Sequence, residues 1–121
     1  MKILIVEDEK ILSKALNIEI LKSGYEVFSA YDGSTGLSDA SKIQPDLIIL
    51  DLVMPGMDGF EFIHKIRSNP ETAKIPIMVL SNLGQEKDVK KAMALGANGY
   101  FIKTSVDLSE IVTNIKNLLK I

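Results

Sequence analysis

Midway along the chain, Asp46-Leu47-Ile48-Ile49-Leu50-Asp51-Leu52-Val53-Met54-Pro55-Gly56-Met57-Asp58-Gly59 reads as a strand, a turn and a helix start in direct succession. Its apolar run is continuous rather than alternating, the pattern of a strand covered on both faces of its sheet. Pro55 and Gly56 break the run,. Asp58 stands where an N-cap is needed before the helical spacing of Phe60, Ile63 and Ile66,. Asp51 closes the strand with a carboxylate, at the point where the chain leaves the apolar layer.

Outward from this segment the same alternation repeats. Apolar runs at 2–6, 26–30, 46–50, 75–80 and 100–103 predict five strands,. Between and after them, helical periodicity predicts helices at about 10–23, 33–42, 59–68 and 85–95, and from 108 to the C-terminus,. On the first helix Ile11, Leu12, Ala15, Leu16 and Ile20 share a broad apolar face, and Gly24 suits the end,. The second is weaker, with only Leu37, Ala40 and Ile43 to bury among glycines and serines. The fourth offers Val89, Ala92 and Met93, and stops at Gly96. Strands alternating with helices imply an α/β protein: a doubly wound parallel sheet with right-handed crossovers. A single domain spanning 1–121 is expected, since the 121 residues hold neither a linker nor a repeat.

Composition excludes several classes of function. Fourteen Lys+Arg against 16 Asp+Glu leave a net charge of −2, too little positive field to hold nucleic acid or an anionic membrane. With no cysteine and one histidine, there is no disulfide, thiolate nucleophile, iron–sulfur cluster or His-rich metal site. The apolar runs fall far short of the ~20 residues that span a bilayer. Glu7-Asp8-Glu9 follows the first run too early for a secretory signal,. A cytoplasmic setting is expected.

In a parallel sheet the carboxyl ends of the strands share one edge, where ligands bind. Here that edge would gather Glu7-Asp8-Glu9, Asp51, Ser81-Asn82 and Lys103-Thr104. Two carboxylates ~4 Å apart repel by roughly 4 kcal/mol at an effective dielectric near 20. A hard divalent cation relieves that repulsion, and a site with few protein ligands suits Mg²⁺. Asp51 would then serve as a carboxylate nucleophile towards phosphorus. Lys103 would neutralise a phosphoryl oxygen, and the Ser81 hydroxyl would donate to another. His64, flanked by Ile63 and Lys65, reads as a surface residue.

These residues resemble the receiver domain of two-component response regulators, the CheY-like family. The likeness covers essentially the whole chain and is most specific at Asp51 to Gly59, which fits the pattern D-x-x-M-P-x-x-D-G. The segments around Pro76 and from Gly96 to Tyr100 agree as well. The resemblance implies a flavodoxin-like sheet in the order 2-1-3-4-5 with five helices. It implies that Asp51 is the phosphoacceptor and that Asp8, Asp51 and the backbone carbonyl of Val53 are direct Mg²⁺ ligands. Glu7 would act on the metal through water. Lys103 and Ser81 would bind the phosphoryl group, with Ser81 and Tyr100 as the switch pair. A sensor histidine kinase or histidine phosphotransfer protein would be the donor. A downstream protein would read the face formed by the fourth helix, fifth strand and fifth helix. No turnover enzyme, membrane contact or direct nucleic-acid contact is implied.

Two departures stand out. Thr104 follows Lys103 where the family usually has proline; a non-proline cis bond costs ~3 kcal/mol, so this peptide is expected to be trans. Val53 and Leu83 occupy positions where fast-hydrolysing members carry polar side chains, so a long-lived phosphoryl-aspartate is expected. A dehalogenase-like phosphatase would need a second Asp where Val53 stands, and a flavodoxin would need hydroxyls where Glu7-Asp8-Glu9 stands. Neither G-x-x-x-x-G-K-[ST] nor G-x-G-x-x-G occurs,.

Overall fold

A computed structural model describes residues 1–119. The elements run β1 (Lys2–Val6), α1 (Lys10–Lys22), β2 (Glu26–Ala30), α2 (Gly33–Ile43), β3 (Leu47–Leu50), α3 (Gly59–Ser68), β4 (Ile77–Ser81), α4 (Glu86–Leu95), β5 (Gly99–Ile102) and α5 (Leu108–Leu119). All strand pairs are parallel, as the alternation of elements implied, and the sheet order is β2-β1-β3-β4-β5, as the family resemblance implied. The expected run of the last helix through 120 and 121 lies outside the described residues.

Alternate residues of the central strands face opposite layers. Leu4, Val6, Ile48, Leu50, Ile77 and Val79 pack with Ala40, Phe62, Ile63, Ile66 and Ala92, so α2, α3 and α4 cover one face. Ile3, Ile5, Leu47, Ile49, Met78 and Leu80 pack with Leu16, Ile20, Ile111 and Ile115 of α1 and α5 on the other. This two-sided burial is why β1, β3 and β4 are apolar without interruption. Asp58 caps α3 as expected, accepting from Glu61 N–H at 2.9 Å, and Asp107 does the same for α5, accepting from Glu110 N–H at 2.9 Å. Gly96 ends α4 at φ +117°, a conformation that favours glycine.

Three local readings differ from expectation. Ile11 is 89% exposed and Met93 44% exposed, so the faces of α1 and α4 that meet the core are narrower than spacing alone implied. On α3 the side chain that enters the core beside Ile63 and Ile66 is Phe62, with Phe60 only half-buried. The poor apolar content of α2 also has a packing cause. A β-carbon on Gly36 would lie 2.9 Å from Val6 Cγ2 and 3.0 Å from Phe62 Cε2, and one on Gly33 would lie 3.0 Å from Met57 Cβ. These glycines let α2 approach β1, α3 and the β3–α3 loop closely, which larger residues would prevent.

Candidate functional site

Three site residues at the carboxyl edge are each the next rung after a strand ends. Glu7 N–H donates to the Ala30 carbonyl, Asp51 N–H to the Val6 carbonyl and Lys103 N–H to the Ser81 carbonyl, each at 3.0 Å. Sheet backbone therefore fixes three charged side chains whose own interactions are unfavourable or mixed. α3 holds the loop from its far side: Gly59 N–H donates to the Leu52 carbonyl at 2.9 Å. A β-carbon on Gly59 would sit 2.5 Å from Leu52 Cα, so only glycine fits there.

Lys103 is the hub. Its Nζ lies 2.8 Å from Glu7 Oε1, 3.1 Å from Asp51 Oδ2 and 3.5 Å from Glu9 Oε2. Asp51 is 4% exposed and Glu7 2% exposed. The other Asp51 oxygen, Oδ1, accepts the Val53 N–H at 3.2 Å. Glu7 Oε2 accepts the Glu9 N–H at 3.1 Å. Loss of solvent pushes the Glu7 carboxyl up to about 7, the Asp51 charge adds to the rise, and Lys103 and the Glu9 N–H oppose it,. Burial acts to lower the Lys103 pKa, but the hydrogen bonds and charges of Glu7 and Asp51 outweigh it and hold the ammonium above its ordinary value.

Asp8 completes the acid group. Glu7, Asp8 and Asp51 each bring an oxygen within 4.8 Å of the others. Three carboxylates with no nitrogen or sulfur donor suit a hard divalent cation, so the donor set fits the cation expected here. Asp8, Glu9, Asp51, Val53, Asn82 and Lys103 line an open cleft of about 250 Å³. Val53 is 57% exposed at its rim.

Ser81 and Tyr100 meet at a different point. Ser81 is fully buried, and its Oγ accepts the Leu83 N–H at 3.2 Å; the cleft wall beside it is Asn82. The Tyr100 hydroxyl donates to the Leu83 carbonyl, and burial raises its pKa, with the Asp88 and Asp51 charges adding. The backbone of Leu83 thus joins the two residues, a link that side-chain types could not reveal. None of the described peptide bonds is cis, so Thr104 follows Lys103 in trans.

The sequence matches the response regulator receiver domain across residues 3–116. The chain belongs to that family. This receiver domain is 37% identical over 119 residues to the DNA-binding dual master transcriptional regulator RpaA of Synechocystis, covering 98% of this chain and 49% of RpaA. Among solved structures it is similar to the Vibrio cholerae chemotaxis protein CheY4, with TM-score 0.90, 29% identity and 97% of both chains covered. The Mn²⁺-bound response regulator Rcp1 matches with TM-score 0.81 and 32% identity over 96% of this chain and 91% of that one. The receiver domain spans about half the length of the curated relatives it matches. Receiver domains are phosphorylated on aspartate in two-component signalling and are not classical enzymes. No described helix is long and apolar enough to cross a membrane.

Proposed function

We propose that the chain, as one receiver unit over 1–121, takes a phosphoryl group onto Asp51 from a sensor histidine kinase or histidine phosphotransfer protein. The observation that carries this is the clustering of the Glu7, Asp8 and Asp51 carboxylates around an acceptor already bound to Lys103. A carboxylate oxygen of Asp51 forms the new bond to phosphorus as the donor's P–N bond breaks, and the leaving imidazole takes up a proton. Mg²⁺, held by Asp8, Asp51 and the Val53 carbonyl and by Glu7 through water, would supply positive charge against the incoming oxygens. Lys103 gives up its contact with the Asp51 oxygen that becomes phosphorylated and turns its Nζ to the phosphoryl group.

Ser81 Oγ accepts the Leu83 N–H, so turning its hydroxyl proton towards the phosphoryl group acts on the backbone of Leu83. The Tyr100 hydroxyl is held by the same residue's carbonyl, so movement of the β4–α4 loop is felt by both. This coupling is the proposed switch, and it biases the α4–β5–α5 face towards a downstream protein. Neither nucleic acid nor a membrane is contacted by this chain in the proposed reading, and its setting is the cytoplasm. RpaA is named as DNA-binding, but its receiver-like part is the half matched here. Val53 and Leu83 offer no polar group to orient water, so the acyl phosphate persists on the order of many minutes or longer.

The test is incubation with Mg²⁺ and acetyl phosphate, read by intact mass, for the wild type and Asp51→Asn. One phosphoryl adduct is expected on the wild type and none on the variant. An equal adduct on Asp51→Asn would remove Asp51 from its role.

A further inference from the structure

Glu9 is the acid of the Glu7-Asp8-Glu9 run for which phosphoryl transfer provides no task. It stands at the N-cap of α1, where a short Ser, Thr, Asp or Asn side chain commonly accepts one of the first free N–H groups. Here it makes no capping bond. It lines the cleft with Asp8, Asp51 and Lys103 instead, and its Oε2 lies 3.5 Å from Lys103 Nζ.

That contact does little to hold Lys103. Glu7 at 2.8 Å and Asp51 at 3.1 Å grip the same ammonium more closely, from sites almost out of solvent. The Glu9 side chain is 59% exposed, and exposed ion pairs contribute little. What Glu9 changes is the charge of the cleft, which the carboxylates of Asp8, Glu9 and Asp51 line together with one lysine. Every phosphoryl donor must enter past that charge, and the repulsion it meets grows with its own negative charge.

We propose that Glu9 sets donor specificity by charge, disfavouring dianionic acyl phosphates relative to donors of the P–N class, to which phosphohistidine belongs. The inference rests on Asp51 being the acceptor. In either reaction Asp51 forms the new P–O bond; an acyl phosphate loses a carboxylate as its P–O bond breaks, and a P–N donor loses its amine with a proton. Glu9 takes no part in these bond changes and acts on approach alone.

The probes are acetyl phosphate and phosphoramidate, which at neutral pH carries one negative charge fewer. Initial rates of adduct formation with Mg²⁺ are compared for wild type, Glu9→Gln and Glu9→Ser, the last restoring a capping side chain should α1 need one. The ratio of the acetyl phosphate rate to the phosphoramidate rate is expected to rise about three- to tenfold in both variants at low ionic strength. In molar salt the gain should shrink to less than about twofold. An unchanged ratio, or a gain that salt does not reduce, overturns the role of Glu9. A fall with both donors would do the same, by making Glu9 a support for Lys103. If the wild type forms no adduct, or Asp51→Asn forms an equal one, the acceptor reading fails first and the inference fails with it.

Discussion

Each end of the sheet is organised around one partly buried cation, and the two are partnered in opposite ways. At the carboxyl edge, Lys103 faces the carboxylates of Glu7, Asp51 and Glu9. At the amino edge, Arg67 faces only neutral oxygens. Its guanidinium donates to Gly96 O at 3.2 and 2.9 Å, to Ala73 O at 3.1 Å, to Ile75 O at 2.7 Å and to Asn98 Oδ1 at 3.0 Å. Asn98 Oδ1 also accepts the Ile77 N–H at 2.9 Å. Arg67 thereby ties the last turn of α3 to the entries of β4 and β5 and to the end of α4. A fork of donors among fixed carbonyls has every partner it needs and no reason to move. A single ammonium among several acids leaves charge unbalanced, and an incoming cation or phosphoryl group can change its partners. One end is built to stay and the other to respond.

The largest expected effect tests the staying end. Arg67→Met keeps the aliphatic stem but leaves the carbonyls of Ala73, Ile75 and Gly96 without their donor. A loss of about 3 kcal/mol, or roughly 10 °C in Tm, is expected by urea or thermal denaturation. Phosphorylation by acetyl phosphate at a temperature where the variant is folded should be nearly unaffected; a tenfold drop would mean the two ends are not separable.

The responding end should show itself in pH dependence. The Glu7 carboxyl stands at about 7 against 4.5 unfolded, so between these values the folded state binds more protons than the unfolded one. Stability therefore falls as pH rises through that window, by on the order of 2–3 kcal/mol in the absence of divalent cations. Glu7→Gln should flatten this slope, and Lys103→Met should steepen it by removing the opposing charge. Urea titrations at several pH values would measure all three slopes, and a wild-type slope of the opposite sign would refute the assignment.

The smallest effect concerns an exception at the amino edge. The Tyr25 hydroxyl is buried without a hydrogen-bond partner among the described residues, and burial raises its pKa. Tyr25→Phe removes an unpaired polar atom while keeping the ring among Ile3, Ile20 and Ile115. A gain of about 0.5–1 kcal/mol is expected, seen as a higher urea midpoint at unchanged m. A loss would show that this end, too, depends on a polar partner.

Most of the carboxyl edge could be read from the chain, because strand ends in a parallel sheet converge whatever their side chains do. The positions of Glu7, Asp8, Asp51 and Lys103 follow from strand boundaries and order alone. The contacts of Ser81 did not, since a buried hydroxyl can turn to the cleft or to the Leu83 N–H, and spacing does not distinguish them. Nor could Glu9 be separated from its two acidic neighbours, because its failure to cap α1 is a choice of rotamer. Gly36 reads as a weak point in a helix until Val6 and Phe62 are seen pressed against it. Arg67 carried no signal at all, as every oxygen it binds belongs to the backbone or to one amide.

By itself, then, the order of residues determined the layered α/β architecture and the gathering of acids and one lysine at a single edge. Periodicity and connectivity suffice for both, since apolar burial and right-handed crossovers admit few alternatives. Only the folded chain decided which oxygen each cation meets, which glycines are pressed by neighbours and which backbone groups the Ser81 and Tyr100 hydroxyls meet. Those outcomes depend on distances of a few tenths of an ångström between segments remote in sequence, and no local pattern encodes them.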